Sequence, residues 1–224
     1  MKNFKKIFAV VLAALTIAFG IFSLINDQPI VGIDSLKALK FDNDTNIGSS
    51  ILVILYLIVD ILLIAAPVVL ILLVVFDKQT PYKGIEGSAL TVLIFFISRI
   101  FIFVLIMIVW KAPADLWKAY LFDKEALGII PILVFFFAII LLIASSANKL
   151  EGTLLRAVLA TAASALAIFG IVFYFVCGNG VNILMPTMDK TDTSTVFAII
   201  TGAILYAGLV VYTFLPQTRE FKAE

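Results

Sequence analysis

The charged residues of this chain are confined almost entirely to the segments between six long apolar runs. The sequence contains 16 Lys and Arg and 15 Asp and Glu, and the runs include only Asp60, Arg99 and Arg156. The runs cover residues 7–25, 51–76, 88–110, 129–148, 153–177 and 195–216. A helix of about 20 apolar residues crosses a hydrocarbon core of about 30 Å. The sequence therefore predicts an all-α, polytopic integral membrane protein with about six transmembrane helices.

The segments between the runs are too short to form a soluble domain. The longest of them, residues 26–50, has 25 residues. Domains below about 40 residues usually need disulfides, metals or oligomerisation to fold. We therefore expect residues 1–224 to form a single transmembrane domain whose surroundings are the lipid bilayer, and any site to be built from the helices and their connections.

Basic residues predict the orientation of the chain. Lys2, Lys5 and Lys6 precede the first run without an acidic neighbour, and the same side of a six-span arrangement carries nine Lys and Arg against six on the other. Because basic segments stay in the cytoplasm, both termini are predicted to be cytoplasmic. A cleaved secretory signal is the alternative for residues 7–25, but the apolar stretch exceeds the usual length of about 7–15 residues, which favours retention.

The composition argues against several classes of function. The chain has no histidine, one cysteine (Cys177) and a net charge of +1. A single cysteine cannot form an internal disulfide, and common transition-metal ligands are missing. The sequence also lacks a basic cluster for nucleic acid and a nucleophile–base set or phosphate loop for catalysis. We therefore expect neither a cofactor nor a nucleic-acid partner, and a protein that is not an enzyme.

Asp60 and Arg99 are the two charges predicted near the middle of the membrane. At 1.5 Å per residue, Asp60 lies about 13 Å and Arg99 about 16 Å below the outer surface. Their runs are joined by the short segment 77–87 and should pack as antiparallel neighbours. The sequence thus predicts a buried ion pair between them. Tyr56 lies one helical turn before Asp60 on the same face and could donate a hydrogen bond to it.

The ion pair has two interpretations. In the first, each charge neutralises the other and the pair only holds two helices together. In the second, one member faces a polar cavity and binds a substrate or ion, because charges inside membranes often mark transport pathways. From six spans and this pair, we expect a membrane transport component, either a small solute carrier or the membrane subunit of a larger transporter. The alternative is a non-catalytic scaffold, assembly factor or accessory subunit.

Pro67 lies inside the second run, seven residues after Asp60 and therefore on the same side of the helix. A proline in this position cannot donate its backbone hydrogen bond to the carbonyl of Leu63, and it can kink the helix. We expect a kink at Pro67, which would serve either as a hinge or as a tolerated irregularity.

Small residues predict close helix packing in the last two runs. Ala160 and Ser164 are one turn apart in the fifth run, and Gly202 and Gly208 lie in the sixth. Small side chains let membrane helices approach closely. We expect these four residues to pack the two helices against each other, with a partner subunit or a second copy of the chain as the alternative contact.

Residues 111–128 combine charges with Trp117, Tyr120 and Phe122. Aromatic rings prefer the membrane interface, so this segment is predicted to be a short interfacial helix. Its simplest role is to space and anchor the neighbouring spans, and a substrate lid is the alternative.

Overall fold

The computed structural model describes residues 2–26, 39–40, 44–109, 111–115, 117–118, 129–147, 150, 153–176 and 193–214. Its six long helices are α1 (Lys2–Asn26), α2 (Asp44–Val75), α3 (Pro81–Val109), α4 (Ile129–Ser145), α5 (Leu154–Val176) and α6 (Thr193–Phe214). No strand occurs among these residues. The all-α fold class predicted from the sequence is confirmed.

Five helices are long and apolar enough to cross a membrane, namely α1, α2, α3, α5 and α6. The sixth, α4, is a shorter apolar helix of 17 residues. At 1.5 Å per residue it extends about 25 Å, slightly less than a typical hydrocarbon core. The protein is therefore an integral, multi-pass membrane protein. The side of the membrane on which the termini lie stays a prediction.

Helices α1, α2 and α3 begin well before the apolar runs that predict them. These runs start at residues 7, 51 and 88, whereas the helices begin at Lys2, Asp44 and Pro81. The reason is that an apolar run marks only the part of a helix suited to hydrocarbon, while the helix itself continues through polar residues. At the start of α3, the backbone N–H of Lys83 donates to the Thr80 hydroxyl oxygen at 3.4 Å, which is N-terminal capping geometry.

Helix α3 is the central helix of the bundle and contacts α1, α2, α4 and α6. Half of the residues in its most apolar stretch are buried inside the protein. Gly87 allows close approach to α2, because a Cβ atom there would lie 2.8 Å from a methyl carbon of Leu70. The buried hydroxyl of Tyr206 on α6 donates to the backbone carbonyl of Ala89 at 2.8 Å. Side chains on α3 therefore meet residues from most of the bundle.

The C-terminal ends of α2 and α3 have the same backbone geometry. Asp77 follows α2 with φ of 56°, and Lys111 follows α3 with φ of 49°. After α3, the N–H of Lys111 donates to the carbonyl of Ile108 at 3.0 Å and the N–H of Ala112 to that of Met107 at 2.9 Å. This pair of bonds is a Schellman motif, in which the left-handed position usually holds glycine.

Replacing Lys111 with glycine should therefore stabilise the protein. A left-handed residue with a Cβ atom costs about 1–2 kcal/mol, which glycine avoids. We expect Lys111→Gly to raise the free energy of unfolding by about 1 kcal/mol relative to Lys111→Ala. The alanine variant is the control, since it removes the same charge but keeps the Cβ atom. Denaturation in mixed micelles measures the difference, and equal stabilities would refute the assignment of strain.

Candidate functional site

Asp60 and Arg99 form an ion pair in the interior of the bundle. A guanidinium Nη2 atom of Arg99 on α3 donates to Oδ1 of Asp60 on α2 at 2.6 Å. Asp60 has an exposed fraction of 0% and Arg99 of 3%. The two charges that the sequence predicts at nearly the same membrane depth are therefore in direct contact in the structure. The adjacent antiparallel packing of α2 and α3 positions them.

Aromatic rings and a serine surround the guanidinium of Arg99. Its central carbon lies 4.7 Å from the ring centre of Tyr56 and 4.8 Å from that of Phe95. Both distances are within the range of cation–π attraction. The same Nη2 atom donates a second, longer hydrogen bond of 3.4 Å to the hydroxyl oxygen of Ser23 on α1. Arg99 therefore contacts α1, α2 and a ring on its own helix, and the charges of the pair are enclosed by protein.

The structure adds two contacts of Arg99 that the sequence analysis does not predict. Tyr56 presents its ring to Arg99, in addition to lying on the Asp60 face of α2. Ser23 was not predicted as a neighbour. The sequence gives little indication of this contact, because Ser23 is an uncharged residue near the end of the first run. In the sequence, the whole of α2 also lies between α1 and α3. Matching its depth to that of Arg99 is the comparison that could have found it.

Pro67 lies within α2, and the helix continues through it from Asp44 to Val75. The proline is buried in the bundle. The predicted kink and its role as a hinge stay predictions.

The four small residues predicted for helix packing are all buried inside the chain. Ala160 and Ser164 lie in α5, where the Ser164 hydroxyl donates to the carbonyl of Ala160 at 2.7 Å. A Cβ atom on Gly202 would meet a methyl carbon of Ile171 on α5 at 2.7 Å. One on Gly208 would instead meet a methyl carbon of Leu12 on α1, also at 2.7 Å. Gly202 thus packs α6 against α5, whereas Gly208 packs it against α1.

A second buried polar cluster lies near the start of α3, which the sequence reasoning missed. It consists of Tyr82 and Glu86 on α3, Ser145 at the end of α4 and Arg156 at the start of α5, all buried. The Ser145 hydroxyl oxygen lies 3.1 Å from Glu86 Oε1 and 3.3 Å from the Tyr82 hydroxyl oxygen. The guanidinium carbon of Arg156 lies 3.6 Å from the ring centre of Tyr82. We call these four residues the Glu86 cluster.

The Glu86 cluster was missed for an identifiable reason. Glu86 lies two residues before the predicted start of the third run, so the apolar pattern assigns it to the connecting segment 77–87. Arg156 lies within the fifth run, and the pattern predicts no partner for it. Glu86 is five residues into α3 and Arg156 two residues into α5. Because α3 and α5 run in the same direction, a comparison of these positions would have placed the two charges at the same end of the bundle.

Polar contacts of α1 lie at this end as well. Lys6 Nζ forms an ion pair with Asp77 Oδ1 at 2.6 Å, which links α1 to the turn between α2 and α3. Lys5 Nζ lies 6.0 Å from the ring centre of Tyr212 on α6, and that ring is 5.9 Å from the ring of Tyr82. The starts of α1 and α3 and the end of α6 therefore lie together. About 20 Å of α3 separates Glu86 from Arg99, at 1.5 Å per residue.

Several predictions fall outside the described residues. Most of the expected interfacial helix at 111–128, including Tyr120 and Phe122, lies there, as does Cys177. Among the described residues, no group of three or more Cys, Asp or Glu side chains could hold a metal ion.

Comparisons of the chain with protein-family models, with curated proteins and with solved structures find no match. The chemistry of the two buried clusters is therefore the basis for assigning a function.

Proposed function

We propose that this chain is a non-catalytic subunit of a membrane complex, acting as a scaffold or accessory protein, and that Asp60 and Arg99 hold its helices together. The enclosure of this ion pair is the observation that supports the proposal. A transport site must at some stage face water or substrate, whereas both charges here are surrounded by protein. The Arg99 guanidinium meets aromatic rings on two helices and a hydroxyl on a third, which suits a fixed structural contact.

A subunit of this kind needs a surface for its partner. The small residues of α5 and α6 are used within the chain, so a partner at these helices would contact their outward residues. Large apolar side chains that face outward there include Phe169 on α5 and Ile204 on α6. We propose this outward face of α5 and α6 as the contact for a partner subunit or a second copy of the chain.

Purification of the full chain from its native membranes in mild detergent tests the proposal. We expect one or more membrane proteins to copurify in fixed proportion, or the chain itself to form a defined oligomer. Ala207→Trp, which adds bulk to the outward face of α6, should reduce the copurifying protein or the oligomer at least several-fold. Ala65→Trp is the matched control, since Ala65 is likewise exposed but lies on α2. A monomer without a partner in unmodified protein would contradict the proposal.

A transport component is the second candidate, and the Glu86 cluster supports it. Unlike Asp60 and Arg99, the ionisable residues Glu86 and Arg156 lie close to the starts of their helices. Ionisable residues within transmembrane helices commonly mark ion or proton pathways. In the same purification, a copurifying ATPase or solute-binding protein would favour this candidate over a scaffold. Solute uptake that requires Glu86 or Arg156 in reconstituted vesicles would have the same meaning.

A further inference from the structure

The hydroxyl of Ser145 has more hydrogen-bond contacts than it has hydrogen atoms. Its oxygen lies 2.7 Å from the carbonyl oxygen of Leu142, 3.1 Å from Glu86 Oε1 and 3.3 Å from the hydroxyl oxygen of Tyr82. A serine hydroxyl can donate one hydrogen and can accept two. Unless that hydrogen is shared between two acceptors, the three contacts are all hydrogen bonds only if two of the neighbours donate to Ser145.

The carbonyl of Leu142 must receive the Ser145 hydrogen in such an arrangement, because a carbonyl oxygen can only accept. This contact is also the shortest of the three. The helical donor for the Leu142 carbonyl would be the N–H of Ser146, four residues on, but that N–H donates to Ile143 at 3.1 Å instead. The Ser145 hydroxyl thus takes the place of a backbone donor at the end of α4, as expected for a helix terminus.

With its hydrogen donated to Leu142, Ser145 can only accept from Tyr82 and Glu86. Tyr82 carries a hydroxyl hydrogen and fulfils this requirement. Glu86 fulfils it only as a carboxylic acid, since a carboxylate has no hydrogen to donate. We propose that Glu86 is a proton-binding site, whose bound proton is held in a hydrogen bond to Ser145.

The charges around Glu86 are compatible with this assignment. Arg156 on α5 and Lys83 on α3 are near enough to act electrostatically on Glu86, and both favour its ionised form. In the described part of the chain, however, neither forms an ion pair with Glu86, and the Arg156 guanidinium packs on the ring of Tyr82. A buried carboxylate without a paired cation is costly in a membrane bundle, and protonation removes that cost. Tyr212 and Lys5 lie beyond Tyr82 at the same end.

Infrared spectroscopy of the full chain in lipid bilayers can test the proton directly. The chain has five glutamates, and Glu125, Glu151, Glu220 and Glu224 all lie outside the described residues. Replacing these four with glutamine leaves Glu86 as the single glutamate. Cell-free synthesis with carboxyl-¹³C-glutamate then labels this one carboxyl group. At neutral pH we expect the spectrum to contain the labelled carbonyl band of a carboxylic acid, which shifts in D2O. We expect no labelled carboxylate bands in the same spectrum.

Two further measurements make the result specific. Ser145→Ala removes the acceptor, so the labelled acid band should shift to higher frequency. Should the labelled variant not fold, the difference spectrum between the unmodified chain and Glu86→Gln gives the same information, because glutamine has the shape of the protonated acid. Labelled carboxylate bands alone at neutral pH would overturn the proposal, as would a Ser145→Ala spectrum identical to that of the parent. Neither outcome bears on the scaffold proposal, which rests on Asp60 and Arg99.

Discussion

Replacing either Asp60 or Arg99 with alanine is expected to lower the free energy of unfolding by about 3–5 kcal/mol. Each substitution leaves the opposite charge buried without its 2.6 Å partner. Arg99→Ala also removes the contacts with Ser23, Tyr56 and Phe95 and should have the larger effect. Denaturation in mixed micelles gives the free energies, and the yield of membrane-inserted protein gives an independent measure.

Two control variants test whether the lost stability comes from leaving one buried charge without its partner. Joint replacement of Asp60 with leucine and Arg99 with methionine removes both charges, and for a purely structural pair it should restore most of the stability. The ion pair of the partly buried Lys6 with the exposed Asp77 is the control for the loss of a charge near the surface, and Lys6→Ala should cost less than about 1 kcal/mol. Single variants of Asp60 and Arg99 that are as stable as Lys6→Ala would show that the buried pair does not hold the helices together.

The second large effect is expected at Gly20, where α1 packs directly on the backbone of α2. A Cβ atom on Gly20 would lie 2.7 Å from Cγ1 of Ile64 and 3.3 Å from backbone atoms of both Leu63 and Ile64. Backbone atoms of a helix cannot move aside as a side-chain tip can. Overpacking of this kind costs about 1–3 kcal/mol, and it would push Ser23, three residues further along α1, away from Arg99.

Gly202→Ala is the matched control for Gly20→Ala. The new Cβ atom would meet Ile171 Cδ1 at 2.7 Å, which is the end of a flexible side chain, and no backbone atom ranks among its closest contacts. Both variants share the gain in helix propensity of alanine over glycine. We expect Gly20→Ala to be less stable than Gly202→Ala by about 2 kcal/mol in the same denaturation assay. Equal stabilities would contradict the close approach of α1 and α2.

The parts of the fold that follow from hydrophobic length could be predicted from the sequence. A run such as 88–110 has few other solutions in a membrane, because every backbone polar group must be satisfied within the helix. The pairing of Asp60 with Arg99 also followed, since two charges at one depth on helices joined by a short turn are placed together by chain geometry alone. Helix ends did not follow, because α3 continues through the polar residues before Ser88.

Contacts between helices distant in sequence were beyond the same reasoning. Glu86, Ser145 and Arg156 lie on three different helices, and only the tertiary arrangement brings them around Tyr82. The packing partner of Gly208 illustrates the same limit. A small residue predicts close approach to some helix, but nothing in its local sequence distinguishes α1 from α5.

Exchange of the two midplane charges is the most direct test of the structural role proposed for Asp60 and Arg99. The measurement is the free energy of unfolding of Asp60→Arg, of Arg99→Asp and of the chain carrying both changes. Each single variant buries two like charges side by side, whereas the double variant restores opposite charges in the same enclosed position. We predict that the double variant recovers at least half of the stability lost in the less stable single variant. A double variant no more stable than either single one would contradict the account.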